Sequence, residues 1–237
     1  MVKKVIATSC LVLFACATLL LASGKKSNYT FSPDYKRVIA VNGVNHIIQN
    51  VQGPSSGTVI SGNLSKYPYG TYFCCFGYTV AGGTGFPFQV WEAVGFTPAS
   101  NATVTEVEAA VGAFSGVTAG FQLALYTDNG GIPGTSLKTW QISSPPKYGD
   151  CCLVDTGKDS AGIPVTAGTL YWIVAKTNAK DASFIGGWSM NDTDERPGLY
   201  PVASWCKGST TYCGNNSGKW ISGLNGDPVN AYAVFGH

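Results

Sequence analysis

Apolar and polar residues alternate along much of the chain with a period of two, the spacing that sets one face of a β-strand on a core. The clearest case is Phe121, Leu123, Leu125 and Thr127, which alternate with Gln122, Ala124, Tyr126 and Asp128. Asn129-Gly130-Gly131-Ile132-Pro133-Gly134 follows, a glycine- and proline-marked turn, and a second strand begins before Leu137. Turn chemistry with φ > 0 accounts for Asp128, Asn129 and the glycines more simply than a ligand loop does. Thr105, Val107, Ala109, Val111 and Ala113 face one way, opposite Val104, Glu106, Glu108 and Ala110; this predicts a half-buried strand with its acidic side in water. Leu170-Tyr171-Trp172-Ile173-Val174-Ala175 is apolar on both faces and predicts a central strand covered on both sides.

Further strands are predicted over Tyr69–Tyr78, Phe88–Phe96, Leu137–Ile142 and Asn230–Gly236, with Gly- and Pro-rich breaks between them. No ten-residue stretch sustains a helical period with caps. The fold class is therefore all-β, and closely spaced strands imply an antiparallel sandwich. Residues 1–24 read as a signal peptide, 25–54 as an N-terminal extension or edge strand, and 55–237 as the sandwich domain. Gly53-Pro54-Ser55-Ser56-Gly57 is the linker between the last two.

The leader sets the compartment. Met1-Val2-Lys3-Lys4 is a basic start, Val5 to Ala22 is nearly unbroken apolar sequence, and Ala22-Ser23-Gly24 offers a cleavage site near Gly24. A retained membrane anchor and a lipid attachment at Cys16 are the alternatives. Cleavage gives a secreted, extracellular or periplasmic protein with no membrane span in its mature form. Of the 237 residues 12% are charged and the net charge is +2, with no basic run longer than two residues and no basic-aromatic stripe, so nucleic acid is not an expected partner.

Four segments resemble a group of secreted bacterial β-sandwich domains of the choice-of-anchor or sorting-signal-associated type. They are Ala93-Val94-Gly95-Phe96-Thr97-Pro98, Val104-Thr105-Glu106-Val107, Leu125 through Gly134, and Ala167-Gly168-Thr169-Leu170-Tyr171-Trp172-Ile173-Val174. The paired cysteines and the closing Phe235-Gly236 are also similar. The resemblance covers roughly residues 55–237 and implies a jelly-roll-like sandwich in or outside the cell envelope, without a known reaction. Gly236-His237 carries no hydrophobic helix or sorting motif, so a released form is expected.

Eight cysteines are present, and Cys10 and Cys16 lie in the leader. The other six favour disulfides in an oxidising compartment, among fifteen connectivities. The preferred scheme closes Cys206 with Cys213 and brings Cys74/Cys75 to Cys151/Cys152, directly or through two vicinal bonds. A zinc site would want C-x-x-C or histidine partners, and His46 and His237 are the only histidines.

No Gly-x-Ser-x-Gly elbow is present. Glu106 and Glu108, about 7 Å apart on one strand face, are the pair a glycan-cleaving enzyme would use, against a solvated strand face. Asn191-Asp192-Thr193-Asp194-Glu195 gathers oxygen ligands, and Asp192, Asp194 and Glu195 would hold a structural calcium. Trp188, Tyr200, Trp205, Tyr212 and Trp220 lie in a Gly- and Asn-rich region, where flat rings beside polar groups suit a sugar face. The competing reading makes those rings a satellite core. The expectation is a non-catalytic module for extracellular polysaccharide. A structural or adhesive envelope protein is the alternative, and a carboxylate-based glycan-active enzyme the third.

Overall fold

The computed structural model describes residues 29–40, 57–64, 72–149, 154–191, 201–223 and 228–237. In chain order the strands are Tyr29–Phe31 (β1), Arg37–Ala40 (β2), Thr58–Gly62 (β3), Tyr72–Gly82 (β4), Gln89–Phe96 (β5), Ala102–Ala109 (β6), Val111–Ala113 (β7) and Phe121–Asp128 (β8). They continue as Pro133–Ile142 (β9), Asp155–Val165 (β10), Tyr171–Lys176 (β11), Ile185–Asn191 (β12), Val202–Lys207 (β13), Lys219–Ser222 (β14) and Tyr232–Gly236 (β15). One short helix, Thr210–Cys213 (α1), interrupts the β13–β14 hairpin. Within the described residues no helix is long and apolar enough to cross a membrane.

The strands make an antiparallel, sandwich-like all-β fold of one 11-stranded and one 4-stranded sheet. The smaller sheet runs β10-β6-β15-β3. The larger follows β1-β2-β4-β5-β11-β8-β9, with β12 and β7 beside β4 and the β13–β14 hairpin beside β5. The main core lies between them: Val94, Leu123, Leu125, Ile173 and Trp188 from the large sheet meet Val104, Val107, Tyr232 and Val234 from the small one. All nine are buried, and each such side chain contributes roughly 1.5–3 kcal/mol on leaving water.

Three sequence patterns translate directly. The β8–β9 hairpin closes through Asn129 N–H donating to the Ile132 carbonyl at 2.8 Å, with Gly130 and Gly131 at φ 68° and 89°. β11 pairs with β5 on one side and β8 on the other, and Tyr171 to Ala175 are buried throughout, as a strand covered on both faces should be. Residues 29–40 form the hairpin at the edge of the large sheet.

β6 departs from simple alternation. Its pairing with β15 slips between Phe235↔Glu106 and Gly236↔Val104, and its pairing with β10 slips at the same place. Such an irregularity shifts side-chain parity, so Val104 joins Val107 and Ala109 in the core and does not share a face with Glu106. The acidic side is not a solvated one: Glu106 is 6% exposed and Glu108 half-buried.

Candidate functional site

The large sheet forks at β5. Along one edge β13 pairs with Gln89 through Val94. On the other edge β11 takes Glu92 through Phe96, while β4 takes only Gln89 and Val90. The neighbour therefore changes at Trp91. Where β4 and β11 diverge, a groove of about 510 Å³ opens, lined by Gly82, Gln89, Trp91, Gln122, Lys176 and Thr177, with Asn178, Ala179 and Ala182 at its end.

Cross-strand register sets the side chains of this face in a row. Trp220 of β14 lies opposite Trp205 of β13, and Trp205 lies opposite Trp91 of β5. The β5–β11 register, carried one step past Ala175↔Glu92, sets Lys176 beside Trp91; Lys176 then pairs with Gln122, and Gln122 with Gln141. The row crosses six strands, about 24 Å at the usual spacing between strands. Trp91 and Trp205 stack at 3.9 Å with their planes 14° apart, and Trp220 tilts toward Trp91 at 6.4 Å. All three tryptophans are half-buried. The stack covers one face of each ring, and Trp91 borders the groove.

The groove's polar groups are fixed by one another. Trp91 Nε1 and Gln89 Nε2 both donate to Thr177 Oγ1, at 3.1 and 3.0 Å. Lys176 Nζ donates to the Tyr126 hydroxyl at 2.7 Å and sits 5.0 Å from that ring's centroid, a cation–π contact. Gln141 Nε2 donates to both Asp181 carboxylate oxygens, at 3.1 and 3.2 Å. On this same face, further along β11, Trp172 is fully buried with Ala93, Val174 and Ala203, and its Nε1 donates to Asp128 Oδ1 at 2.8 Å. Asp128 also accepts from the Gly131 amide, so its role is to hold the hairpin turn and the Trp172 ring.

Behind the row, on the opposite face of β5, Glu92 is 1% exposed. Burial raises its carboxyl well above the ordinary range; the Ser204 hydroxyl, donating at 2.9 Å, and the charge of Lys36 oppose this more weakly. A neutral acid here ties β5 to β13 without burying a charge.

The residues expected from the sequence divide. Trp205 and Trp220 belong to the row. Trp188 does not: it is fully buried in the main core, and its Nε1 donates to the Ala231 carbonyl at 2.8 Å. β12 brings it there because small neighbours let packed elements approach; a Cβ at Gly187 would lie 2.5 Å from the Tyr148 ring and 2.8 Å from Val38 Cγ1. Tyr212 packs into a second aromatic cluster, stacked on Phe88 at 5.2 Å and edge-on to Tyr35 at 5.6 Å. Trp188 thus lies in the main core and Tyr212 against a satellite cluster. Tyr200 and the calcium candidates Asp192, Asp194 and Glu195 lie outside the described residues, within which no group of three or more His, Cys, Asp or Glu is gathered for a metal.

Cys206 and Cys213 form the expected disulfide, with Cα atoms 5.5 Å apart. Cys151 and Cys152, and the side chains of Cys74 and Cys75, lie outside the described residues. The Cys206–Cys213 bond closes the loop that joins Trp205's strand to Trp220's. Replacing both cysteines by alanine is expected to lower stability by about 2.5 kcal/mol, from the chain entropy of so short a loop. Urea unfolding of the oxidised parent and the double variant checks this; equal midpoints would contradict it.

Glu106 and Glu108 share the outer face of the small sheet, away from the groove, whose lining holds no carboxylate among the described residues. Burial raises the Glu106 carboxyl, and Lys158, whose Nζ lies 3.6 Å from Glu106 Oε1, pulls it back down. Glu108 is pushed up to about 7, first by burial and then by the charge of Glu106. On the inner side of the same sheet, burial lifts Asp155 to about 8, and its Oδ2 has no partner among the described residues.

Sequence reasoning passed over Trp91, Gln89, Gln122, Lys176, Thr177 and Asn178. One signal for the first two was present: Gln89 and Trp91 occupy one face of a strand whose other face is Val90, Glu92 and Val94. No family model, curated protein or solved structure matches the chain, so its resemblance to the choice-of-anchor domains rests on the motifs alone.

Proposed function

We propose that this protein is a secreted, non-catalytic binding module for extracellular polysaccharide, and that the glycan lies along the row on the outer face of the large sheet. The observation that carries this reading is the row itself. A half-buried tryptophan stack runs into a groove of amide, hydroxyl and ammonium groups across a rigid sheet. Apolar ring faces take the C–H surface of a sugar, while Gln89, Gln122 and Asn178 meet its hydroxyls. The mutual hydrogen bonds at Thr177 hold Trp91 and Gln89 in place before a ligand arrives, which lowers the entropic cost of binding. The Cys206–Cys213 bond supports an oxidising destination, as the leader does.

Glycan-array screening followed by calorimetry on the best ligand tests this. Trp91→Ala is expected to weaken binding about 30-fold, the roughly 2 kcal/mol of a central anchor residue, with Trp91→Phe intermediate. Unchanged near-UV circular dichroism outside the tryptophan band would show that the sandwich persists. A variant that binds as tightly as the parent, or an array with no ligand at all, would reject the proposal.

A further inference from the structure

Lys176 separates this groove from a neutral sugar platform. Its ammonium lines the groove, is held by the Tyr126 hydroxyl at 2.7 Å and by that ring's face, and makes no ion pair among the described residues. The nearby carboxylates are already engaged. Asp181 is 6% exposed and accepts both contacts from Gln141, and Asp128 accepts from Trp172 and Gly131. Exposed Lys207 adds a second cation one strand over, in register with Gln89, and exposed Lys180 follows Asn178 in the bordering loop. Among the described residues the face therefore carries positive charge with no free anion to balance it, and its best-oriented cation is beside the tryptophan stack.

From this we infer that the ligand is an acidic polysaccharide, whose sugar ring packs on Trp91 while its carboxylate takes the Lys176 ammonium. The inference rests on the glycan-binding reading of the same groove and adds the ligand's charge. Tyr126 presents the lysine in one orientation, so little side-chain freedom is lost when a carboxylate arrives, and the hydrogen bond formed is charge-assisted. Gln89, Gln122 and Asn178 remain for the neutral hydroxyls, which lets the groove distinguish a uronate polymer from a simple polyanion.

The test uses the mature protein with polygalacturonate, alginate and hyaluronan, each beside its carboxyl-reduced counterpart, by affinity electrophoresis and calorimetry at fixed salt. At least one acidic polymer is expected to bind about tenfold more tightly than its reduced form. Lys176→Gln should abolish that preference and flatten its salt dependence. Lys138→Gln, off the groove and paired with Asp159 at 2.7 Å, should change neither. Equal binding of acidic and reduced polymers, or a preference that survives Lys176→Gln, overturns the inference and leaves the module reading standing. An equal loss from Lys138→Gln assigns the effect to net charge and also overturns it. Failure to bind any polymer, acidic, reduced or neutral, overturns both.

Discussion

Trp188→Ala is expected to lower the unfolding free energy by about 5 kcal/mol. Truncating a buried tryptophan costs about 3–5 kcal/mol through lost contacts and the remaining cavity. The Ala231 carbonyl, now accepting from the indole at 2.8 Å in a buried setting, would lose its partner at a further cost of about 1–3 kcal/mol. Against a typical total of about 5–15 kcal/mol the variant should sit at the margin of folding. Trp188→Phe should recover most of the packing but not the hydrogen bond, and keeps the test readable if the alanine variant does not fold. Trp220→Ala, made at a half-buried position, should cost far less. Chemical unfolding of the three variants decides: if Trp188→Ala costs no more than Trp220→Ala, the placement of Trp188 in the core is wrong.

The second large effect is on pH. Burial raises the carboxyl of Asp155 to about 8 and that of Glu108 to about 7, and lifts Glu92 well above its usual range. A carboxyl with a raised pKa binds its proton more tightly when folded than when unfolded. The stability it confers is complete below its unfolded value near 4 and is lost as pH rises through the folded value. The protein should therefore become less stable as pH rises from about 4 through about 8. Asp155 alone accounts for a change on the order of 5 kcal/mol by linkage, and half-buried Glu108 for a smaller one. Asp155→Asn should flatten part of the slope between about pH 4 and pH 8, and Glu108→Gln a further part between about pH 5 and pH 7. Urea midpoints at pH 5, 6.5 and 8 measure it. A protein more stable at pH 8 than at pH 5 would show that these carboxyls are not buried as described.

How far the sequence revealed the fold depended on where the deciding contact lay. Phe121, Leu123 and Leu125 alternate with polar neighbours and face the core; the pattern sufficed because the hairpin is local. Tyr171 to Ala175 was equally legible, since a strand apolar on both faces needs covering on both. The parity of β6 was not, because the slip beside Thr105 is fixed by β10 and β15, some 50 and 130 residues away in the chain. Trp188 looked like its neighbours in composition and was separated from them only by pairing with β4 and β7. Trp205 and Trp220 could be named as candidate binding rings. That they line up with Trp91, Lys176 and Gln122 follows from strand order, which single-strand periodicity does not carry.

The fork in the large sheet gives the groove walls of different parentage. Gly82 and Ala182 border it at the end of β4 and in the loop before β12, whereas Gln122 and Lys176 belong to β8 and β11. A ligand bridging them would act as a brace across a branch point, resisting the hinge motion by which two leaves of a sheet peel apart. Its mark would be mechanical: slower amide exchange at the paired ends of β4 and β11, on both sides of the split at once.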